Sequence, residues 1–355
     1  MTTTQTSVVH ELGVLAHRLA HPAGAPCVCE PPQLLADRSD GTVVRSGAVV
    51  AKAHAADADR EALAARIALA AAPELTGILL PPLTGPGLPG PDGALRFPEP
   101  FDQPGDAALS GDPRGPRPAG PPAAPGVRPV TLWPLGTPVD PADPGAAPWA
   151  EAAGLLARLH RTKPPLPLPP MRGPAKAARA VARMCAARPG DPAVLPVLAG
   201  WRALPAWARG EAPPPARRDR FLCHGDLHLG QLVRHPAPDG PWLLIDVDDA
   251  GAGDPAWDLA RPAAWYAAGL LAPEDWSVFL NAYRSAGGPA VPAADDDPWP
   301  VLDVPARALT VQTAAVALAK CATEQREPDA HEQLMLASCA RIATLPPDLA
   351  PGAAS

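Results

Sequence analysis

The chain has 355 residues, too many for one small module and suited to two lobes or one large domain. Its 30 basic and 37 acidic side chains leave a formal charge of -7, so the bulk composition favours neither nucleic acid nor an anionic membrane, and an anionic ligand would need a local basic site. With 53 Pro, 30 Gly and only 4% aromatic residues, part of the length is expected outside any packed core.

In chain order, residues 1–7 have neither a basic start nor the apolar run of a leader, and no apolar stretch approaches the roughly 20 residues that span a bilayer, so a soluble cytoplasmic protein is expected. Residues 8–20 place apolar side chains at helical spacing. A Pro/Cys-rich connection follows, in which Cys27 and Cys29 have no second pair at zinc-site spacing, a pattern that fits reduced thiols. Residues 34–54 hold Val-rich runs separated by the turn dipeptides Asp40-Gly41 and Ser46-Gly47, and read as successive antiparallel strands, the last carrying Lys52. Residues 57–72 begin with Asp, hold good helix formers and stop before Pro73, which predicts a helix. Between Pro81 and Pro129, 15 Pro and 9 Gly occur without a three-residue period, so residues 84–126 are expected to form a flexible insertion with no chemistry of its own. A short strand at 130–133 and a connector at 134–138, the expected boundary between lobes, lead to an amphipathic helix at 148–161. Further helices are expected at 174–187, 193–209, 255–270, 273–286, 304–324 and 328–343, interrupted by loops and strands at 221–253.

The interruption carries the chemistry. Residues 221–231 read FLCHGDLHLGQ, and Asp246 follows fifteen residues after Gln231, at the end of an apolar run. Phosphoryl transfer needs these parts: a carboxylate to orient or deprotonate the attacking hydroxyl, and hard oxygen donors for Mg2+. Asp226, Gln231 and Asp246 supply them in order. The loop resembles the H-G-D-x-x-x-x-N catalytic loop of the aminoglycoside phosphotransferase family, within the protein-kinase-like superfamily. Residues 243–260, LLIDVDDAGAGDPAWDLA, resemble that family's metal-binding segment. Gln231 stands where most of the family has Asn, a departure that the similar maltokinase branch tolerates.

The resemblance implies an α+β, bilobal protein-kinase-like fold with a small antiparallel-sheet lobe and a mostly helical one. The nucleotide lobe spans 1–133, the hinge 134–138 and the helical lobe 139–355, with the catalytic loop at 221–231 and the metal segment at 243–260. It implies ATP and Mg2+ as cofactors and a small-molecule hydroxyl as substrate, with Asp226 catalytic and Gln231 and Asp246 on the metal. Lys52 would hold the nucleotide phosphates, paired with Glu61 on the next helix; it is one of only four lysines, with Lys163, Lys176 and Lys320, among 30 basic residues. Trp133 and Leu135 lie in the segment similar to the family's hinge and would line the nucleotide. His224, Asp254 and Asp258 are assigned to support, Asp254 by capping the helix from Pro255 and Asp258 by tying that helix to the loop. Residues 38–41 are the candidate phosphate cover.

Each residue has a plainer reading. Asp226 alone could cap its own turn, Lys52 could be a surface lysine, and Glu61 is favoured in a first helical turn by the dipole alone. His224, Asp226 and His228 could suggest a hydrolase metal site, but no second His pair has ligand spacing. The alternative to an enzyme is a degenerate kinase-like binding module that holds nucleotide without transfer. A protein kinase is disfavoured by the lack of an activation-loop phosphosite after the metal segment. Acceptors open on this reading are an antibiotic, a sugar or an amino alcohol; the cluster of Asp246, Asp248 and Asp249 is compatible with a polycationic aminoglycoside. ATP against GTP and the oligomeric state are left open.

Overall fold

A computed structural model describes residues 3–21, 30–38, 41–84, 94–96, 127–214, 221–292 and 296–345. They divide into two compact units, Met1–Ala71 with Leu80–Gly136 and Ala72–Leu79 with Thr137–Ser355.

The first unit contains α1 (Thr3–Ala20), β1 (Gln33–Arg38), β2 (Gly41–Ser46), β3 (Val49–His54), α2 (Arg60–Ala70), β4 (Ala94–Arg96) and β5 (Val127–Pro134). The strands form one antiparallel sheet in the order β1-β2-β3-β5-β4. Val8, Leu12 and Ala16 of α1 pack on Val44, Val49, Ala51, Ala53, Val130 and Leu132. Because strand side chains alternate between faces, this packing turns Val50, Lys52 and His54 to the opposite face, together with Thr131 and Trp133 of β5. Lys52 lies opposite Thr131 and Val50 opposite Trp133 in the β3–β5 register. Thr131 ties that face together, its hydroxyl 2.8 Å from Nε2 of His54 and accepting from Nε1 of Trp133 at 3.0 Å. α2 starts three residues later than the sequence suggests, since Asp59 rather than Asp57 caps it by accepting from the Ala62 amide at 3.0 Å. The Pro/Gly-rich stretch contributes one strand that composition hides: β4 pairs with β5 from Ala94↔Pro129 to Arg96↔Val127. Apart from β4 and Thr84, the expected insertion lies outside the described residues, as do Ser39 and Asp40 of the candidate phosphate cover.

The second unit contains β6 (Thr137–Pro138), α3 (Trp149–Arg161), α4 (Gly173–Ala187), α5 (Leu195–Ala203), β7 (Phe221–Cys223), β8 (Leu232–Arg234), β9 (Trp242–Leu244), β10 (Gly251–Gly253), α6 (Ala256–Ala268), α7 (Pro273–Ser285), α8 (Trp299–Glu324) and α9 (Ala330–Ile342). Its core joins Val181 and Met184 of α4, Val197 of α5, Val311 and Leu318 of α8, and Met335 and Cys339 of α9. α5 ends at Ala203, short of the expected 209, because Leu204 precedes Pro205 and is held extended. α8 starts at Trp299, five residues before the expected 304, and runs through Pro305. The one hydrogen bond that Pro305 forfeits is outweighed by burial of Leu302, Val304, Ala306 and Ala308 around it. Against the expectation of no long apolar stretch, α8 is long and apolar enough to cross a membrane by composition alone; 83% of its apolar window is buried inside the protein, as in a core helix.

Leu318 is fully buried in this core while Val316, two residues away, is 47% exposed. Leu318→Ala is expected to lower unfolding free energy by about 2–5 kcal/mol and Val316→Ala by less than about 0.5 kcal/mol, measured by chemical denaturation.

Candidate active site

β7 ends at Cys223 and pairs with β10, so the loop from His224 to Gln231 starts from a fixed edge. The chain turns at Gly225, where φ is +86° and a Cβ would stand 2.2 Å from the Asp249 carbonyl oxygen, so only glycine fits. The turn leaves two amides in need of partners. Asp258 of α6 meets both, accepting from the His224 and Gly225 N–H groups at 2.7 Å each. It also takes Nε2–H of His160 at 2.9 Å, and Nδ1 of His160 lies 2.7 Å from the Tyr283 hydroxyl, which in turn accepts from the Ala290 amide. An ionised carboxylate only accepts, so the chain runs from Ala290 through Tyr283 and His160 to Asp258. Burial works against the Asp258 charge, but the His160 hydrogen bond and the donors at His224 outweigh it and lower the pKa. Burial pushes the Tyr283 phenol up. His224 is buried and its Nε2–H donates to the Ile245 carbonyl at 2.8 Å, tying the loop to the residue before Asp246. Asp254 accepts from the Ala256 amide at 3.0 Å, at the start of α6.

A second tie comes from backbone pairing, as the Ile245 amide donates to the Gln231 carbonyl at 2.9 Å. It brings the two side chains together, Nε2 of Gln231 lying 3.4 Å from Oδ2 of Asp246. Asp246 adopts a left-handed backbone conformation, φ 63°, that a non-glycine residue takes only when its surroundings impose it. Rotating the Gln231 amide by half a turn presents its oxygen instead, giving an amide oxygen and a carboxylate side by side. That donor set suits a hard divalent cation such as Mg2+.

Asp226 is held by two cations. Nη2 of Arg261 lies 2.5 Å from Oδ1 and Nζ of Lys176 lies 2.6 Å from Oδ2. Lys176 also reaches Asp249 at 2.5 Å, and Nε of Arg172 stands 3.5 Å from Asp249. Burial alone would raise the Asp226 pKa, but Lys176 and Arg261 hold it well below the usual carboxylate range. Burial likewise disfavours the Lys176 ammonium, and Asp249 and Asp226 together more than offset it, so its pKa is raised. His228 goes the other way: burial, then the Arg261 charge, depress its pKa to about 4, and its Nδ1 accepts from the Gly230 amide at 3.1 Å.

Neither Lys176 nor Arg261 is singled out by the motifs. Arg261 sits one helical turn after Asp258, on the same face of α6, so the helix that holds the loop also delivers a cation to it. Lys176 arrives because the segment before α4 runs alongside β10: the Met171 amide donates to Ala252, and the Arg172 amide to Asp249. Gly251 allows that approach, a Cβ there standing 2.3 Å from the Pro169 carbonyl oxygen. The signal available was the scarcity of lysine. In the first unit, Lys52 and Trp133 share the sheet face away from α1, and the Leu135 amide donates to Ala48 at 2.8 Å. Glu61 is exposed in the first turn of α2, and among the described residues no ion pair joins it to Lys52.

A family model described as the phosphotransferase enzyme family matches residues 50–299, which include Lys52, the loop and Asp246. The chain belongs to the phosphotransferase enzyme family. No curated protein sequence matches it. Among solved structures, this phosphotransferase is similar to a choline/ethanolamine kinase family protein from Mesorhizobium loti, with 16% identity over 94% of each chain and a TM-score of 0.56. It is similar to aminoglycoside phosphotransferase APH(4)-Ia in ternary complex with AMP-PNP and hygromycin B, with 11% identity over 92% of this chain and 97% of that one and a TM-score of 0.53. It is also similar to the amicoumacin kinase hAmiN in complex with AMP-PNP, Ca2+ and Ami, with 15% identity over 90% of each chain and a TM-score of 0.54. These likenesses establish the protein-kinase-like fold of the phosphotransferase, with its antiparallel sheet preceding a mostly helical unit.

Asp258→Ala strands two loop amides and His160, and is expected to cost about 3–5 kcal/mol, read as a fall of roughly 10 °C in Tm. His228 contributes a pH dependence. Its folded pKa lies below the ordinary 6.5, so below that pH the unfolded chain takes up a proton that the folded loop refuses. The stability it supplies is present above pH 6.5 and lost as pH falls toward 4. His228→Asn keeps an acceptor for Gly230 and is expected to flatten the Tm–pH curve across that window.

Proposed function

We propose that this phosphotransferase transfers the γ-phosphoryl group of ATP to a hydroxyl of a small molecule. The observation that carries the reading is the fixed loop, on which Asp226 remains ionised while Gln231, five residues on, stands beside Asp246. In the reaction the acceptor oxygen bonds to the γ-phosphorus as the bond to the β,γ-bridging oxygen breaks. ADP leaves with that electron pair, and the hydroxyl proton passes to Asp226. A carboxylate with so low a pKa is a weak base, so its first task is to orient the hydroxyl, receiving the proton late, which suits the loose transition state of phosphoryl transfer. Gln231 and Asp246 would hold Mg2+, which when bound neutralises phosphate charge. Lys52 is assigned to the α- and β-phosphates, and Trp133 and Leu135 to the nucleotide base. Glu61, exposed in the first turn of α2 and joined to Lys52 by no ion pair among the described residues, is given no part in holding the phosphates.

The other reading, a module that holds nucleotide without transfer, draws on Gln231 in place of Asn and on the two cations closing over Asp226. ADP release separates the two. Asp226→Asn is expected to lower kcat by about a hundred- to ten-thousand-fold while ATP with Mg2+ still raises Tm. Unchanged turnover in that variant would remove Asp226 from the chemistry, and stabilisation by ATP without any ADP release from wild type would favour the module.

A further inference from the structure

More positive charge surrounds Asp226 than that carboxylate requires. Lys176, Arg261 and Arg172 face Asp226 and Asp249, three cations against two anions within the second unit. The surplus is accessible: the Arg172 side chain is 38% exposed. Among the described residues, the terminal nitrogens of Arg172 and Nη1 of Arg261 donate to no protein group. Forked guanidinium donors left open in this way match the oxygens of a carboxylate or phosphate. Of the acidic run that would suit a polycationic acceptor, Asp249 is engaged by Lys176 and Arg172 and Asp246 faces Gln231, so neither is a free carboxylate. Each oxygen of Asp226 accepts one cation and has a second lone pair for a hydroxyl.

We infer that the acceptor is an anion, a hydroxy acid or a phosphorylated polyol, whose acidic group is held by Arg172 and Arg261 beside Lys176 while its hydroxyl lies on Asp226. The inference rests on the phosphotransfer reading and narrows it. An amino alcohol or aminoglycoside reaching Asp226 brings its charge against Lys176 and Arg261, whereas an anion meets them favourably. Opposed charges a few ångströms apart in a half-buried site discriminate by on the order of a hundredfold. The acid group is not consumed: only the hydroxyl oxygen gains phosphorus, and its proton leaves through Asp226 to solvent.

The test compares ADP release with glycerate and glycerol 3-phosphate, which separate carboxylate from phosphate recognition, against neutral glycerol and cationic choline and kanamycin. At least one acid is expected to exceed glycerol in kcat/KM by about a hundredfold and the cations by more. Arg172→Gln, which alters a partly exposed side chain, and Lys176→Gln are each expected to narrow the acid-to-glycerol ratio by about tenfold or more. Tm shifts with the same compounds are expected to rank the same way. A cation that is turned over or stabilises more than both acids, a ratio unmoved in both variants, or acids that give neither turnover nor stabilisation would overturn the inference. If ATP with Mg2+ still stabilises in those cases, and neutral or cationic hydroxyls are phosphorylated, the phosphotransfer reading stands. Absence of any nucleotide-dependent stabilisation defeats that reading itself.

Discussion

One buried carboxylate holds the active loop in shape. Asp258 receives the amides of His224 and Gly225, and without it the sharp turn at Gly225 would bury two unmet donors at about 1–3 kcal/mol each. The partners behind it come from separate helices, His160 from α3 and Tyr283 from α7, so the orientation of a loop residue is distributed over the packing of three helices. A buried polar chain in which every member is satisfied is stiff, and stiffness is what a hydroxyl-orienting carboxylate needs.

Charge at Asp226 is governed differently. Burial pulls the group toward neutrality and two cations pull it back, and the cations win. The outcome is a carboxylate that is ionised throughout the physiological range and a poor proton acceptor in the ground state. For a reaction with little bond formation to the nucleophile at the transition state, placement of the hydroxyl counts for more than basicity.

What could be read from residues alone follows how local the determining physics is. The helices α3, α4, α6 and α7 follow from 3.6-residue periodicity and Pro or Asp starts, and the loop from a motif whose parts lie within eight positions. α8 starts five residues before the expected 304 and continues through Pro305, whose cost is small beside the apolar surface buried around it. β4 was missed because a Pro/Gly-rich composition says nothing of a three-residue pairing partner. Lys176 is fifty positions before Asp226 and Arg261 thirty-five after it, and no periodicity announces that convergence; it depends on the parallel run of residues 169–172 beside β10. Glu61 shows the converse, since a pattern that places a Glu in a helix's first turn is also what the helix dipole alone would select.

The spacing of Asp258 and Arg261 on α6 makes that helix a lever. One of its side chains fixes the backbone of the loop and the other fixes the charge of the loop's central carboxylate, three residues and less than one full turn apart. Rotating α6 by a single residue, about 100°, would disengage both at once. Shape and ionisation of the loop therefore rise and fall in phase, and an element packed against α6, such as α8, bears on both.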